Sequence, residues 1–252
     1  MQALGTSGRR GEKNCDVPKL DLESELSQHT MAMLKEHLAE AALEGPEPKE
    51  NYGLAQFWYS PETAKEILLE ALTHFTTGAG TDDTTDIDNG LVAILSAPSL
   101  MAPAQELEGG KHLPKLRLFE IDERFGVQWP DNFHRYDYND ATVLPSELLG
   151  KIAVFVIDPP RLNMETLREY FLSTRLLARS KADGSCPPCI VVTSTALEEA
   201  VRGEFGLRPV KDFEVIHTSK LGNPLQAYTN YPPKHLNDAA WKDCQQENVV
   251  FK

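Results

Sequence analysis

The feature that most constrains the fold is a series of short apolar runs that alternate with helical segments from residue 91 onward. Three of these runs, LVAILSA (91–97), IAVFVID (152–158) and CIVVTST (189–195), are apolar at most positions. Strands that are buried on both faces have this composition, because helices cover both sides of a parallel sheet. The pattern therefore predicts an α/β fold in which a mostly parallel sheet carries helices on both faces.

Four further runs complete the predicted sheet of seven strands. KLRLFEID (115–122) and NFHRYDY (132–138) continue the alternation, whereas KDFEVIHTS (211–219) and LQAYTNY (225–231) are separated only by KLGNP. A loop this short indicates an antiparallel hairpin at the C-terminal side of the sheet. Helices are predicted between the strands, near residues 100–107, 145–149, 163–179 and 196–203.

The N-terminal part is expected to add two helices to the same domain. Residues 26–43 place apolar side chains near helical spacing, and Ser60 followed by Pro61 marks the start of a second helix over 61–75. A stretch rich in Gly, Thr and Asp at 77–90 has no apolar period and is predicted to be a flexible insertion. We expect one domain over residues 26–231, a disordered tail at 1–25 and an extension at 232–252.

Net charge limits the classes of partner. The chain carries a formal net charge of -13, so its average surface repels phosphate backbones and favours a basic partner over a nucleic acid. The sequence has no apolar run of the ~18 residues that a membrane span needs. Its first residues also lack the apolar segment of a secretory signal. We therefore expect a cytoplasmic protein that binds neither nucleic acid nor membrane.

Two motifs that suggest redox or metal chemistry have plainer explanations. Cys186 and Cys189 form CPPC, which could be a redox pair, but the segment precedes a strand and does not open a helix, so a loop is predicted. In the acidic insertion, aligning Gly90 with the glycine of a calcium loop puts Thr85 and Ile87 at ligand positions, which argues against calcium. Zinc would need two more ligands near the cysteines. No metal site is predicted.

Polar residues gather where the predicted strands end, and ligands bind beyond the carboxyl ends of such strands. The strand ends carry Ser96 to Ser99, then Glu120 and Asp122, then Asp137, Tyr138 and Asn139, and finally Asp158. An acid after the second strand can accept ribose hydroxyls, and an acid and an aromatic after the third can hold an adenine. Each acid taken singly could equally be a helix cap. The missing glycine-rich turn argues against a dinucleotide and is compatible with a cofactor without phosphates, such as S-adenosylmethionine.

The segment DPPR (158–161) directly follows the fourth predicted strand. Two successive prolines fix the backbone and supply no N–H, so the Asp158 carboxylate and the proline carbonyls are presented outward on a rigid segment. Such a segment suits an amine that is held by hydrogen bonds while its lone pair faces an electrophilic methyl group. Taken alone, it could also be a loop that ends the strand.

Six short motifs occur in the order found in one known family. They are LAQFWYSPETA, LSAPSL, LFEIDERF, YDYND, IDPPRLN and YTNY. Residues 26–231 thereby resemble the lysine methyltransferases that modify translation elongation factor 1-alpha, a family formerly described as N6-adenine DNA methyltransferases. The resemblance implies a seven-stranded class I methyltransferase fold, S-adenosylmethionine as the methyl donor, and methylation of a lysine ε-amine, with elongation factor 1-alpha as the protein partner.

The same resemblance implies a role for each motif. Gln56, Phe57, Trp58 and Tyr59 would line the donor entrance, and Ser96, Ala97 and Pro98 would lie beside the methionine part of the donor. Asp122 would bind the ribose, Asp137 and Tyr138 would flank the adenine, and Asp158, Pro159 and Pro160 would hold the lysine amine. The aromatic residues of the FWY run could instead belong to the core.

Arg161 departs from the family pattern, which has an aromatic residue after Asp-Pro-Pro. A guanidinium about 4 Å from a lysine ammonium would repel it by roughly 4 kcal/mol, yet the same field favours the neutral amine that reacts. Because of Arg161, a donor-binding module with impaired transfer stays open beside the active enzyme. The second alternative is an adenine N6-methyltransferase acting on nucleic acid, which the acidic balance and the missing aromatic residue both disfavour. We expect the protein to be a monomer.

Overall fold

The protein is built around a central β-sheet. Its structure is a computed structural model that describes residues 49–76, 90–180, 184–219 and 224–236. The strands are Leu91–Leu95 (β1), Leu116–Glu120 (β2), Phe133–Arg135 (β3), Ile152–Ile157 (β4), Cys189–Ser194 (β5), Arg208–Pro209 (β6) and Leu225–Thr229 (β7). All seven strands belong to one sheet with the order β3-β2-β1-β4-β5-β7-β6.

The strand pairing confirms the predicted architecture. β1 pairs in parallel with β2 and β4, and β3 and β5 extend the parallel part on either side. β7 runs antiparallel to both of its neighbours, β5 and β6. The sheet is therefore mostly parallel with an antiparallel C-terminal part, as expected for the class I methyltransferase fold.

Five α-helices among the described residues cover this sheet. They are Pro61–Thr76 (α1), Met101–Glu106 (α2), Arg124–Gln128 (α3), Met164–Leu177 (α4) and Glu198–Phe205 (α5). Alternate residues of β1 face opposite sides, because side chains alternate along a strand. Val92 and Ile94 pack in one apolar cluster with α1 and α2, whereas Ala93 and Leu95 pack in another with α4 and α5. Helices therefore lie on both faces, as the composition predicts.

The start of α1 follows from its sequence and lies close to the predicted position. The Ser60 hydroxyl accepts a hydrogen bond from the N–H of Thr63 (3.1 Å), and so caps the free N–H groups of the first turn. Pro61 occupies the first helical position, where its missing N–H leaves no bond unmade.

The predicted strand at 211–219 is wrong. The edge strand lies earlier, at Arg208–Pro209, and the hairpin loop therefore begins before residue 211. Proline cannot donate to a strand ladder and is a poor strand signal, but it is tolerated in β6 because this edge strand pairs only with β7. Phe213 and Val215 pack against the core from outside the sheet, which explains why their alternation resembles a strand.

The helical predictions differ from the structure mainly in extent. The segment at 145–149 forms only a short 3-10 turn, Ser146–Leu148. The short helix α3 has no counterpart among the predictions. The predicted helix at 26–43 and residues 77–89 of the predicted insertion lie outside the described residues.

A buried carboxylate holds the C-terminal end of the described chain. Glu70 lies in the middle of α1 and is 0% exposed. Its carboxylate accepts hydrogen bonds from the backbone N–H groups of Lys234 (3.1 Å), His235 (2.5 Å) and Leu236 (3.0 Å). The first residues of the predicted extension at 232–252 therefore dock on α1.

The CPPC segment is a loop that leads into β5. Cys186 and Cys189 are not joined by a disulfide, and burial raises the pKa of Cys189, which keeps this thiol unreactive. Within the described ranges, no three His, Cys, Asp or Glu side chains form a group that could bind a metal ion. In the same part of the chain, no helix combines the length and the apolar character that crossing a membrane requires.

Candidate active site

The strand order reverses between β1 and β4, and this switch point brings two predicted site residues together. Leu95 and Ile157 are paired in the register, and Asp158 donates its N–H to the Leu95 carbonyl (3.0 Å). Ser96 and Asp158 therefore leave adjacent strand ends. Ligands bind at this position in open α/β sheets.

Ser96 links the end of β1 to two aromatic side chains. Its φ of 57° lies in the left-handed region, which residues with a β-carbon disfavour. Its hydroxyl lies 2.6 Å from the Tyr170 hydroxyl, and the Tyr170 ring stacks on Tyr138 with 5.8 Å between the ring centroids. These contacts fix the turn after β1 relative to α4 and to the chain after β3. Ala97 and Pro98 follow in the same turn and are buried.

Asp158 is the acid at the centre of the site. Its partly buried carboxyl faces the Tyr59 hydroxyl and the Glu120 carboxyl. Burial raises the pKa of Asp158 to about 7, with the hydroxyl opposing this rise and the neighbouring carboxylate adding to it. The Tyr59 hydroxyl meets the geometric limits of a hydrogen bond with no described residue. The Tyr59 hydroxyl therefore lies close enough to affect the pKa of Asp158, although its hydrogen bond to that carboxyl is not well formed.

Glu120, the last residue of β2, and Asp122, two residues further on, have different partners. Glu120 is 3% exposed and accepts the N–H groups of Ile121 (2.9 Å) and Asp122 (3.2 Å) through Oε1. Burial raises the pKa of Glu120 to about 7 despite these bonds. Burial would also raise the pKa of Asp122, but hydrogen bonds from Arg124 lower it overall. Arg124 Nη2 lies 2.6 Å from Asp122 Oδ2, so Asp122 is already paired whereas Glu120 faces Asp158.

The QFWY segment (56–59) divides into residues that reach the acids and residues that pack elsewhere. Gln56 is buried and faces Glu120, and its Nε2 has no hydrogen-bond partner among the described residues. Tyr59 reaches Asp158, as described above. Phe57 and Trp58 pack edge-on against other aromatic rings, and Trp58 contacts the core.

A short antiparallel pairing holds Tyr59 in place. The residues on either side of Tyr59 each form a backbone hydrogen bond of 2.8 Å with the segment 216–218. Between these bonds, the Tyr59 ring packs on the His217 ring, with 4.8 Å between the centroids. The Glu50 carboxylate accepts the N–H of Trp58 (2.8 Å) and also binds hydroxyl groups on the 216–219 side. The QFWY segment is therefore tied to a second segment that is distant in sequence.

The loop after β4 is fixed at both ends, whereas its fourth residue, Arg161, is exposed. Pro159 is buried behind Asp158, and Pro160 is partly exposed. Asn163 caps α4 by accepting the N–H of Thr166 (2.8 Å), and it donates its own N–H to the Arg161 carbonyl (3.0 Å). The Arg161 side chain is exposed and forms no ion pair with the residues that the structure describes.

Asp137 has a local structural role. Its Oδ1 accepts hydrogen bonds from the N–H of Asn139 (2.9 Å) and from the Asn139 side-chain amide (2.8 Å). It thereby caps the 3-10 turn Tyr138–Asp140. Capping is the observed use of this carboxylate, and its contact with an adenine stays a prediction.

A cleft of about 620 Å³ opens beside Tyr59. It lies between the segment 49–59, the first turns of α1, and α2, with Trp58 and Pro103 in its apolar walls and Glu50 and Glu106 among its polar groups. A second cavity, of about 360 Å³, lies where α4 ends and β5 begins, at the opposite edge of the sheet. Tyr59 lines the first cleft and faces Asp158, whereas no residue of the candidate site lines the second.

The structure thus gathers some of the sequence-predicted residues and adds others. Gln56, Tyr59, Ser96 and Asp158 converge at the switch point, whereas Asp122 and Asp137 are engaged by neighbouring residues. Glu120 and Tyr170 were not among the predicted site residues. The sequence alone does not separate Glu120 from Asp122, because the predicted strand runs to Asp122 whereas β2 ends at Glu120. A buried acid pair, an aromatic hydroxyl and the Gln56 Nε2 group, which lacks a partner among the described residues, can together hold hydroxyl groups and an amine.

Comparison with known proteins identifies relatives over most of the chain. The family model described as "Probable N6-adenine methyltransferase" matches residues 50–233. EEF1A lysine methyltransferase 1 of Mus musculus is 32% identical over 228 residues, which cover 86% of this chain and 93% of that protein. Protein-lysine N-methyltransferase EFM5 of Saccharomyces cerevisiae is 30% identical over 192 residues, 73% of each chain. Protein-lysine N-methyltransferase M142.8 of Caenorhabditis elegans is 31% identical over 183 residues, covering 72% and 78%.

Proposed function

We propose that the chain, which belongs to the family described as "Probable N6-adenine methyltransferase", methylates a lysine of translation elongation factor 1-alpha. The relatives compared above are protein-lysine methyltransferases. S-adenosylmethionine is the proposed methyl donor. Elongation factor 1-alpha is proposed as the substrate because the mouse relative is an EEF1A lysine methyltransferase and is aligned over 93% of its length. The cytoplasm is the proposed compartment of the reaction.

The observation that carries this proposal is the position of Asp158 at the switch point. A lysine ammonium must lose a proton before its nitrogen can attack, and a carboxylate can hold the amine by its N–H groups while the lone pair faces the donor. When bound, the donor supplies an electrophilic methyl group, which passes to the nitrogen as the sulfonium becomes a thioether. Asp158 emerges directly from β4 and is followed by two prolines, so its carboxylate is held on rigid backbone.

The residues at the ends of β1 and β2 fit a donor of this kind. The buried Gln56 Nε2 lacks a partner among the described residues, and a buried donor of this sort requires an acceptor. The Glu120 carboxyl, at the end of β2, would accept the ribose hydroxyls in place of Asp122, whose oxygens bind Arg124. Ser96, Ala97 and Pro98 would lie beside the methionine part of the donor, and Asp137 and Tyr138 would flank its adenine.

The test of the function is transfer of label from S-adenosylmethionine to elongation factor that lacks its native methylation. We expect label on a single lysine, located by mass spectrometry after digestion. Donor binding by calorimetry without label on the elongation factor would instead indicate the donor-binding module. Label on adenine in nucleic acid, with none on protein, would indicate the second alternative.

Arg161 adds a cation next to the proposed amine site. Because its side chain is exposed, water and salt screen its repulsion of a lysine ammonium, and the effect must be much smaller than between buried charges. We therefore propose that Arg161 weakens binding of the charged lysine without abolishing transfer.

Arg161→Phe should raise kcat/KM for elongation factor about threefold, because the substitution removes a screened repulsion that is worth less than ~1 kcal/mol. Steady-state methylation assays at low ionic strength provide the measurement. Arg161→Gln is the matched control, since it removes the charge without adding an aromatic ring. Unchanged or lower kcat/KM in both variants would show that the arginine is no impairment.

A further inference from the structure

We infer that Tyr59 is a positioning residue for the acceptor lysine, and that its hydroxyl holds and orients the Asp158 carboxylate that receives the amine. This inference rests on the proposed function and deepens it. It assigns Tyr59 to the acceptor side of the reaction, whereas the sequence resemblance places this residue at the donor entrance. Two independent features of the structure support the assignment.

The first feature is the burial of an unpaired hydroxyl. Tyr59 is 3% exposed, and its hydroxyl has no well-formed hydrogen bond to any described residue. Buried hydroxyl groups are almost always paired, so an unpaired one in a candidate site calls for a functional partner. The Asp158 carboxyl is the acidic group that this hydroxyl faces. Because the hydroxyl already faces this carboxyl, a small rotation of the Asp158 side chain on substrate binding would complete the bond.

The second feature is the rigidity of the segment that carries Tyr59. Its backbone is flanked by two hydrogen bonds to 216–218, and the next residue, Ser60, caps α1. The ring packs on His217, whose pKa is lowered by burial, so that a neutral imidazole lies behind the phenol. These contacts therefore hold the Tyr59 backbone and ring in place, with the hydroxyl next to the Asp158 carboxyl.

The groups that face Asp158 explain why one hydroxyl matters. They are Tyr59 from the QFWY segment, Glu120 from the end of β2, and Tyr170 from α4. None of the three is a cation, and the next charged residue in the loop, Arg161, is exposed. Burial and Glu120 both favour the protonated acid, so among the described groups the Tyr59 hydroxyl is the one that favours the carboxylate.

Removal of the Tyr59 hydroxyl should change the pKa of Asp158 in a direction that follows from these neighbouring groups. The ionised form of Asp158 is the form that can hold a lysine ammonium and take part in its deprotonation. Without the hydroxyl, the pKa of Asp158 should rise above its value of about 7. The carboxylate would then form only at higher pH, and the acid limb of the pH–rate profile would move upward.

Tyr59→Phe removes the hydroxyl and keeps the ring. We expect the acid limb of kcat/KM for elongation factor to move up by about one pH unit, with activity about tenfold lower below the midpoint and nearly restored well above it. The donor dissociation constant from calorimetry should change by less than about twofold. Tyr231→Phe is the matched control, because its hydroxyl is also buried without a partner among the described residues and lies beside Glu70, outside the site.

A second readout needs no substrate. Carbon-13 labelling of aspartate side-chain carboxyls allows the titration of Asp158 to be followed by NMR, with Asp158→Asn identifying the signal. The apparent midpoint of this signal should rise in Tyr59→Phe and stay unchanged in Tyr231→Phe. If the wild-type protein transfers no label to elongation factor, the proposed function fails, but this titration still decides the present inference.

The outcomes that overturn the inference are distinct. An Asp158 signal with the same midpoint in wild type and Tyr59→Phe would show that the hydroxyl does not act on the carboxyl. A weaker donor affinity of Tyr59→Phe with an unshifted pH profile would show that Tyr59 contributes to the donor entrance and not to the acceptor side. A melting temperature well below that of Tyr231→Phe, with no shift in either titration, would reduce its role to packing.

Discussion

Asp158→Asn should lower methyl transfer by about a thousandfold while the donor dissociation constant stays within roughly threefold of the wild type. Asparagine has the same size, but it carries no charge and presents an N–H donor to an amine that is itself a donor. The variant therefore keeps the shape of the site and loses the group that holds the lysine. Single-turnover assays with labelled donor, together with calorimetry of donor binding, make the measurement.

The control for this variant is Asp140→Asn, which changes an exposed carboxylate at the same end of the sheet and should retain full activity. Stability provides a second check. The pKa of Asp158 is raised from its ordinary 3.8 to about 7, so the folded protein binds this proton more tightly than the unfolded chain does. Its contribution to stability therefore falls as pH rises from about 4 to 7. At pH 8 the asparagine variant should therefore melt at the same temperature as the wild type or higher. If this variant kept a tenth of the wild-type methyl transfer, the role assigned to Asp158 would be contradicted.

Glu70→Ala should reduce the free energy of unfolding by about 3 kcal/mol, because three backbone N–H groups of the C-terminal segment lose a charged acceptor inside the protein. The loss corresponds to a fall in melting temperature of roughly 6–12 °C for a domain of this size. Denaturant unfolding followed by tryptophan fluorescence, in parallel with thermal melting, provides the measurement.

Glu70→Gln separates the loss of hydrogen bonds from the loss of side-chain volume. Glutamine keeps an acceptor oxygen for the N–H groups of Lys234, His235 and Leu236, so it should lose less than half as much stability as alanine. Equal stability of the alanine variant and the wild type would mean that water replaces the carboxylate and that the docked segment contributes little.

The sequence predicts the central part of the fold because its signals are local. β1, β4 and β5 are recognisable as apolar runs, and the Ser60–Pro61 pair marks the start of α1. The edge of the sheet is harder to predict, since a two-residue strand has almost no pattern of its own. The alternation at 211–219 arises from side chains that pack against the core outside the sheet, and composition alone does not separate that case from a strand.

The candidate site likewise contains residues that the sequence predicts and contacts that only the folded chain creates. Asp158 could be predicted, because a rigid dipeptide directly follows a recognisable strand. The choice between Glu120 and Asp122 depends on Arg124, whose guanidinium donates hydrogen bonds to Asp122 in the folded protein. The contact between Tyr59 and Asp158 joins residues far apart in the chain, and it depends on the pairing of Tyr59 with the segment around His217. Neither relation is visible as spacing in the sequence.

Both edge strands of the sheet are very short, and one of them contains a proline. β3 has three residues, and β6 has two, of which Pro209 cannot donate a hydrogen bond. An exposed strand edge with free N–H and C=O groups serves as a template on which further chains can add, and short or proline-containing edges prevent this. The central strands are almost wholly apolar, so β3 and β6 protect the protein against aggregation by sheet extension.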